Sequence, residues 1–167
     1  MIKRWVLLMA VFVLLGSRFI GAQEVQDGFG KKTLLDGSVY NGEFKNGLFN
    51  GEGTLTYANG DRYEGAFEQG KFNGHGQMDY ADHRQYIGEF KDGLYDGRGV
   101  LIYADSSKYE GQFKEGRLNG EGILTYADGR QYQGQFKEGD LMGEGILTKA
   151  DGKQHKGKLN NDGVFEY

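Results

Sequence analysis

The five residues YEGQF at 109–113 recur in close variants every 23 residues along most of the chain. YNGEF starts at Tyr40, YEGAF at Tyr63, YIGEF at Tyr86 and YQGQF at Tyr132. A fixed period of about 20–50 residues is typical of proteins that stack one small unit many times. We therefore expect five structural units, called copies below, each of which contacts mainly its neighbours in the stack.

Each copy has the alternation of a β-strand, in which successive side chains point to opposite faces. Tyr109, Gly111 and Phe113 share one face, and Gly122 and Leu124 continue the same pattern in the second half of the copy. A glycine inside a strand usually marks a close approach of another group to the backbone. We therefore expect that a large ring from a neighbouring strand lies over the bare backbone of Gly111.

Two short segments in each copy predict turns. KEG at 114–116 links the two strands of a copy, and ADG at 127–129 links that copy to the next. Asp-Gly is a strong hairpin signal because type I′ turns need positive φ angles. His83 and Ser106 replace the turn glycine in two copies, and we expect a different turn type there because positive φ is less accessible to them.

The composition fits short strands and tight turns. Glycine makes up 30 of the 167 residues, aromatic residues 14%, and there is no proline. We predict an all-β fold, an elongated single-layer antiparallel meander of β-hairpins that follows an N-terminal signal helix. At about 4.8 Å per strand, five to six copies would extend roughly 50–60 Å.

The first 22 residues differ from the rest of the chain. Lys3 and Arg4 precede an apolar run from Trp5 to Leu15, and small residues stand before Gln23. This is typical of a secretory signal peptide, while an uncleaved membrane anchor is the alternative. The predicted organisation is a signal or anchor at 1–22, a cap and half repeat at 23–39, five repeats at 40–154, and a degenerate repeat with a C-terminal cap at 155–167. If residues 1–22 are a signal peptide, the protein is expected to be exported, to the periplasm or out of the cell.

Charge and cysteine content exclude several functions. The chain has no cysteine, so thiol chemistry and thiolate metal sites are excluded. Residues 1–22 hold three of the 20 basic residues and no acidic one, which leaves 17 basic and 24 acidic residues, a net charge of −7. Such a balance argues against nucleic acid as a partner and disfavours anionic lipid surfaces.

The repeated pattern Y-x-G-x-F-x-x-G-x-x-x-G-x-G-x-L-x-Y-x-x-G closely resembles the MORN (membrane occupation and recognition nexus) repeat. The resemblance covers about residues 28–159. It implies an all-β hairpin solenoid that serves as a scaffold for protein partners, in some members as a homodimer, and the family name reflects a proposed association with membranes. The copies at both ends depart from the pattern, for example at Lys32 and His155, which is common where terminal repeats cap a stack.

Two groups of residues are candidate binding sites. The aromatic trough, which we define as the repeated tyrosines and phenylalanines of the first strands, could contact a partner or serve only as core; it comprises Tyr40, Phe44, Tyr63, Phe67, Tyr86, Phe90, Tyr109, Phe113, Tyr132 and Phe136. The lysine cluster near the C-terminus could bind an anionic partner or simply protect a strand edge; it comprises Lys149, Lys153, Lys156 and Lys158.

The three histidines fall in different columns of the repeat, and no serine or carboxylate recurs beside them. We therefore predict no catalytic residue, no metal site and no cofactor. The leading hypothesis is an exported, non-enzymatic scaffold that binds a protein along the aromatic trough. A peripheral binder of membrane lipid headgroups and a carbohydrate-binding or structural envelope protein are the alternatives.

Overall fold

The computed structural model describes residues 27–159 and 165–166. Within them, thirteen β-strands form one antiparallel sheet whose spatial order is the order of the sequence. The strands are β1 (Gly28–Thr33), β2 (Val39–Lys45), β3 (Leu48–Thr56), β4 (Arg62–Glu68), β5 (Lys71–Asp79), β6 (Gln85–Lys91), β7 (Leu94–Ile102), β8 (Lys108–Lys114), β9 (Arg117–Thr125), β10 (Gln131–Lys137), β11 (Asp140–Thr148), β12 (Gln154–Leu159) and β13 (Phe165–Glu166).

This topology confirms the predicted single-layer meander of hairpins. Each copy contributes one strand of 7 residues and one of 9, such as β2 and β3. At about 4.8 Å per strand, the twelve steps from β1 to β13 correspond to roughly 58 Å along the sheet. The predicted signal helix and its cleavage site lie outside the described residues. Among the described residues, no helix is long and apolar enough to cross a membrane.

A row of paired glycines crosses the sheet from β1 to β12, with one glycine in every strand and each directly opposite the next. Gly42 pairs with Gly53 in the first copy, and Gly111 pairs with Gly122 in the fourth. We call this the glycine row; it comprises Gly30, Gly42, Gly53, Gly65, Gly76, Gly88, Gly99, Gly111, Gly122, Gly134, Gly145 and Gly157.

A tyrosine ring covers each glycine pair within a hairpin. A Cβ atom on Gly111 would lie 2.5 Å from the Tyr109 hydroxyl and 2.6 Å from the Gly122 Cα, and one on Gly122 would meet the same ring. The ring therefore comes from the strand of Gly111 itself, and only Gly122 is covered from a neighbouring strand. The predicted close approach is confirmed, but the predicted origin of the ring is wrong for Gly111.

Each hairpin contains a β-bulge that was not predicted from the sequence. Gly111 pairs with Gly122 and Phe113 pairs with Leu118, so β9 has two more residues than β8 between these pairs. The side chain of Gln112 bends over the bulge, and its Oε1 accepts a hydrogen bond of 3.3 Å from the Glu121 N–H. Bulges of this kind leave backbone groups outside the ladder, and a side chain often satisfies them.

The turns inside the copies have type I′ geometry. In the first copy Asn46 and Gly47 have φ angles of 54° and 74°, and Lys45 pairs with Leu48 across a two-residue loop. Positive φ at both central residues is the mark of this turn, whose twist matches that of the flanking strands. The type I′ signal thus belongs to the turns inside the copies and not to the ADG turns to which the sequence argument assigned it.

The turns between copies share a second geometry. The Gly60 N–H donates to the Tyr57 carbonyl at 3.0 Å, and Gly60 alone has positive φ within 57–61. This is a type I turn that ends in a left-handed residue. His83 and Ser106 make the same bond and have φ angles of 71° and 68°. The expected change of turn type is therefore wrong, because the register of the flanking strands imposes one conformation on every copy.

Ser106→Gly is expected to stabilise the protein. Left-handed backbone costs an L-residue about 1–2 kcal/mol, whereas glycine loses an extra 0.5–1 kcal/mol of chain entropy on folding, so the net gain is about 0.5–1 kcal/mol. Urea unfolding followed by circular dichroism measures it. His83→Gly is expected to behave alike, and equal or lower stability in both variants would contradict the account of strained turns.

Candidate functional site

The structure places all ten side chains of the aromatic trough together on one face of the sheet, called the inner face, where they are buried. The tyrosines are 0–1% exposed and the phenylalanines 3–4%. They are therefore the hydrophobic core of the protein. Contact of these side chains with a partner stays a prediction, and a partner would first meet the less buried residues around them.

The rings form a continuous ladder of aromatic contacts. In the second copy the Tyr63 ring stacks on Phe72 with a centroid distance of 3.7 Å. Its edge-to-face contacts with Phe67 and Phe90, both at 5.0 Å, join its own copy to the next. Pairs of this geometry contribute about 0.5–1.5 kcal/mol beyond area burial. The same zigzag of contacts leads from Phe44 to Phe165.

The ladder contains a second column of residues that was not among the predicted trough residues. It faces the tyrosines from the second strand of each hairpin and comprises Phe49, Phe72, Tyr95, Leu118 and Leu141. Tyr95 stacks on Tyr86 at 3.6 Å. Its position follows from the same alternation that placed Gly122 and Leu124 on the inner face, continued two residues beyond Gly120. The sequence pattern therefore contains a signal for this column.

The end of the stack shows how the core closes. Phe165 of β13 meets the ring of Tyr132 edge-on at 6.1 Å, the place that the phenylalanine of a following copy takes elsewhere in the ladder. Among the described residues, the buried Tyr132 hydroxyl has no hydrogen-bond partner. In the first four copies the hydroxyl instead donates to a backbone carbonyl three residues on, as from Tyr63 to Ala66 at 2.9 Å.

A second series of tyrosines forms part of the accessible aromatic surface of the inner face, and we call it the tyrosine stripe: Tyr57, Tyr80, Tyr103 and Tyr126. Each follows the second strand of a hairpin, so neighbours are two strands, or about 10 Å, apart along the sheet. All four are half-buried and pack on the core. Lys149 takes the equivalent place in the fifth copy.

Two tyrosine rings of the stripe make cation–π contacts, and one tyrosine hydroxyl is hydrogen-bonded. The guanidinium of Arg84 lies 4.4 Å from the centroid of the Tyr80 ring, and that of Arg130 lies 5.1 Å from that of Tyr126. Such cation–π contacts are worth about 0.5–1 kcal/mol at exposed sites. The Tyr80 and Tyr95 hydroxyls also share a hydrogen bond. The stripe is therefore an ordered row of rings with a guanidinium over two of them, and each of these guanidiniums is ion-paired, Arg84 with Asp82 and Arg130 with Asp128.

Burial shifts the ionisation of the tyrosines. Desolvation raises the pKa of Tyr103 and of Tyr109 to about 12, from an ordinary value of 10.0. In Tyr40, desolvation and the nearby charge of Glu43 have the same effect and bring its pKa to about 12. The phenolate forms of these side chains are thus disfavoured in the folded protein.

Alkaline unfolding is expected between about pH 10 and 12. The unfolded chain releases its phenolic protons near pH 10, the folded protein only near pH 12, so stability is constant below pH 10 and falls as the pH rises to 12. Tyrosinate absorbance and circular dichroism, recorded on the same samples, are expected to change together. Full ionisation near pH 10 with an intact β-sheet spectrum would contradict this expectation.

The lysine cluster does not form one patch. Lys156 and Lys158 lie on the outer face, opposite the core, while Lys149 lies on the inner side at the stripe position. Lys153 pairs with Asp151 at 3.2 Å, and Lys156 pairs with Glu144 at 3.3 Å. The predicted binding of an anionic partner stays a prediction, and these ion pairs reduce the free positive charge available for it.

The turn aspartates serve the backbone. Asp105 accepts hydrogen bonds from the hydroxyl and the N–H of Ser107, and these bonds lower its pKa. The 6% exposed Asp61 accepts the N–H of Ala81 in the next turn at 2.8 Å, so one carboxylate joins two copies. In the part of the chain that the structure describes, no group of three or more histidine, aspartate or glutamate residues could hold a metal ion.

These features define the class: a repeat protein with one β-hairpin per copy, a single-layer sheet and a stacked aromatic core. The family model "MORN repeat" matches five consecutive segments, 40–62, 63–83, 86–108, 109–129 and 132–154. The chain belongs to the MORN repeat family. A comparison with curated protein sequences gives no significant match.

Two solved structures are similar to this chain at low identity. One is the TCP10 domain of Danio rerio CPAP in complex with a peptide of STIL, with a TM-score of 0.45, 17% identity, and coverage of 81% of this chain and 66% of that domain. The other is the Drosophila melanogaster SAS-4 TCP domain with a proline-rich motif of Ana2, with a TM-score of 0.37, 13% identity, and coverage of 87% and 96%. Likeness at this level carries no statement about the function of this chain.

Proposed function

We propose that this protein is an exported, non-enzymatic scaffold that binds a protein partner with its inner face. The observation that carries the proposal is the position of the tyrosine stripe. A β-sheet normally buries its apolar face against a second layer of structure. Every described strand of this chain belongs to the one sheet, so within 27–159 no second layer covers the stripe.

Tyrosine suits such a surface, because it offers a large apolar ring together with a polar group and loses little conformational entropy on binding. Here each tyrosine of the stripe packs against the hydrophobic core. The partner would thus meet a surface that is already ordered, which lowers the entropic cost of association. Export rests on the composition of residues 1–22 and is part of the proposal.

The test adds positive charge to the stripe. Tyr103→Lys with Tyr126→Lys copies a substitution that the chain already carries at Lys149, so the fold is expected to persist. The matched control is Ile87→Lys on the outer face, where Ile87 is 46% exposed. Each purified protein is immobilised and exposed to an extract of the producing cells, and captured proteins are quantified by mass spectrometry.

We expect the stripe variant to lose at least one specific partner by about tenfold, the effect of roughly 1.4 kcal/mol of binding free energy. The Ile87→Lys control is expected to retain it. Urea unfolding of each variant shows that the fold is intact. Equal capture by both variants would remove the stripe as the binding surface.

A further inference from the structure

The chain contains six Asn-Gly pairs, at Asn41-Gly42, Asn46-Gly47, Asn50-Gly51, Asn59-Gly60, Asn73-Gly74 and Asn119-Gly120. Asparagine followed by glycine is chemically labile, because the glycine N–H can attack the asparagine side chain without hindrance from a Cβ atom. The reaction needs an accessible glycine amide and a free carboxamide. The repeat places six identical dipeptides in different surroundings, so the structure ranks them.

Hydrogen bonds hold two of these asparagines. The Asn59 carboxamide donates to Asp61 Oδ2 at 2.9 Å and accepts the Asp61 N–H at 3.0 Å. The Gly60 amide that would attack it donates to Tyr57 at 3.0 Å. The Asn73 carboxamide donates to Glu68. In each case a bond must break before the reaction can begin.

The sheet shields three other pairs. Gly42 is a member of the glycine row and lies between β1 and β3 in the ladder. Gly51 and Gly120 lie in bulges, and the Glu43 and Gln112 side chains bend over them, the first at 2.6 Å from where a Cβ of Gly51 would be. Attack at these positions requires the hairpin to open.

Asn46-Gly47 is different because it forms the tip of a two-residue turn between β2 and β3. Within 27–159, no hydrogen bond holds the Asn46 carboxamide, in contrast to those of Asn59 and Asn73. Both Asn46 and Gly47 are exposed, and among the described residues no atom lies within 4 Å of where a Cβ of Gly47 would be.

We propose that Asn46 is the site at which this protein undergoes spontaneous deamidation. The Gly47 nitrogen forms a bond to Cγ of Asn46, the bond from Cγ to the carboxamide nitrogen breaks, and ammonia leaves with the amide proton. Water then opens the resulting succinimide to aspartate or isoaspartate. No oxidant or metal is needed, and water is the only co-reactant.

The two products differ in their effect on the hairpin. Aspartate fits, because Asp92 with Gly93 forms the same turn in the third copy. Isoaspartate lengthens the backbone of a two-residue turn, whose length fixes the register of β2 and β3. Either product places a carboxylate beside Asp27, whose Oδ1 accepts the residue 46 N–H at 2.6 Å. Deamidation therefore loosens the first hairpin and leaves the later copies intact.

The test follows all six sites in one sample. The purified protein is kept folded in mildly alkaline buffer, and peptide mapping by mass spectrometry measures conversion at each Asn-Gly pair, with isoaspartate-specific methylation as a second readout. Since one hydrogen bond contributes about 1 kcal/mol, the bonds around Asn59 predict that Asn46 converts at least about tenfold faster than Asn59. A parallel sample in urea is expected to convert all six at comparable rates.

Asn46→Glu is the control variant, because Glu115 with Gly116 forms this turn in the fourth copy and the fold is expected to persist. It is expected to abolish the early ammonia release of the folded protein. Faster conversion at any other pair overturns the proposal. So does a folded protein in which Asn46 stays intact while the urea sample converts, or one in which all six sites convert at the urea rate.

Discussion

Gly111→Val is expected to lower the free energy of unfolding by about 3–5 kcal/mol, although valine favours strands. The reason is that there is no room for a side chain at residue 111. The Cβ position of Gly111 lies 2.5 Å from the Tyr109 hydroxyl and 2.6 Å from both the Glu121 carbonyl oxygen and the Gly122 Cα. Two of these three neighbours are backbone, which cannot move without opening the ladder. The branched side chain would therefore expel the Tyr109 ring from the core.

Gly129→Ala is the matched control, because it tests backbone conformation without a steric clash. Gly129 has a φ of 85°, and a Cβ there would meet nothing within 4 Å. Its expected cost is the left-handed penalty less the chain entropy that alanine saves, about 0.5–1 kcal/mol. Urea unfolding curves of both variants give the comparison. A Gly111→Val protein as stable as the parent would disprove the role assigned to the glycine row.

Tyr63→Ala is the second change with a large expected effect, a loss of about 4 kcal/mol. Tyr63 is 0% exposed, stacks on Phe72 and touches Phe67 and Phe90. Removing the ring leaves a cavity at the contact between two copies. Because that contact couples them, the unfolding transition is also expected to broaden.

Tyrosine-to-phenylalanine variants separate the ring from its hydroxyl. Tyr63→Phe loses one hydrogen bond, to the Ala66 carbonyl at 2.9 Å, and is expected to cost about 1 kcal/mol. Tyr132→Phe is expected to cost nothing, since its buried hydroxyl has no partner in the described structure. Thermal unfolding of both proteins tests this pair. A Tyr132→Phe protein that is less stable than Tyr63→Phe would contradict the assignment.

Most of the fold could be predicted from the sequence, because the same strand and turn pattern occurs in five copies. Strand alternation placed Tyr109, Gly111 and Phe113 on one face, and the turn residues placed the boundaries of the hairpins. The β-bulge in each hairpin could not be predicted from the alternation of side chains. It adds two residues to β9, and two is the period of a strand, so the alternation of Leu118 and Gly122 continues through it undisturbed.

The proposed binding surface was less predictable than the fold. The sequence identifies which side chains share a face of the sheet. It does not show which of these side chains are buried beneath their neighbours. The trough residues were candidates because they are aromatic and repeated, and the same properties made them the core. Exposure depends on Phe49 and its equivalents, which pack with the trough residues, while Tyr57, Tyr80, Tyr103 and Tyr126 remain half-buried around them.

The order of the strands also determines how the protein responds to mechanical load. The first and last strands of the sheet are the first and last strands of the described chain. Tension applied at the two ends acts parallel to the inter-strand hydrogen bonds. We expect it to break these bonds one strand pair at a time, which is the unzipping geometry. Each copy that opens releases 23 residues, about 80 Å of extended chain. We therefore expect the array to extend in steps under load, with the hairpin as its unit of extension.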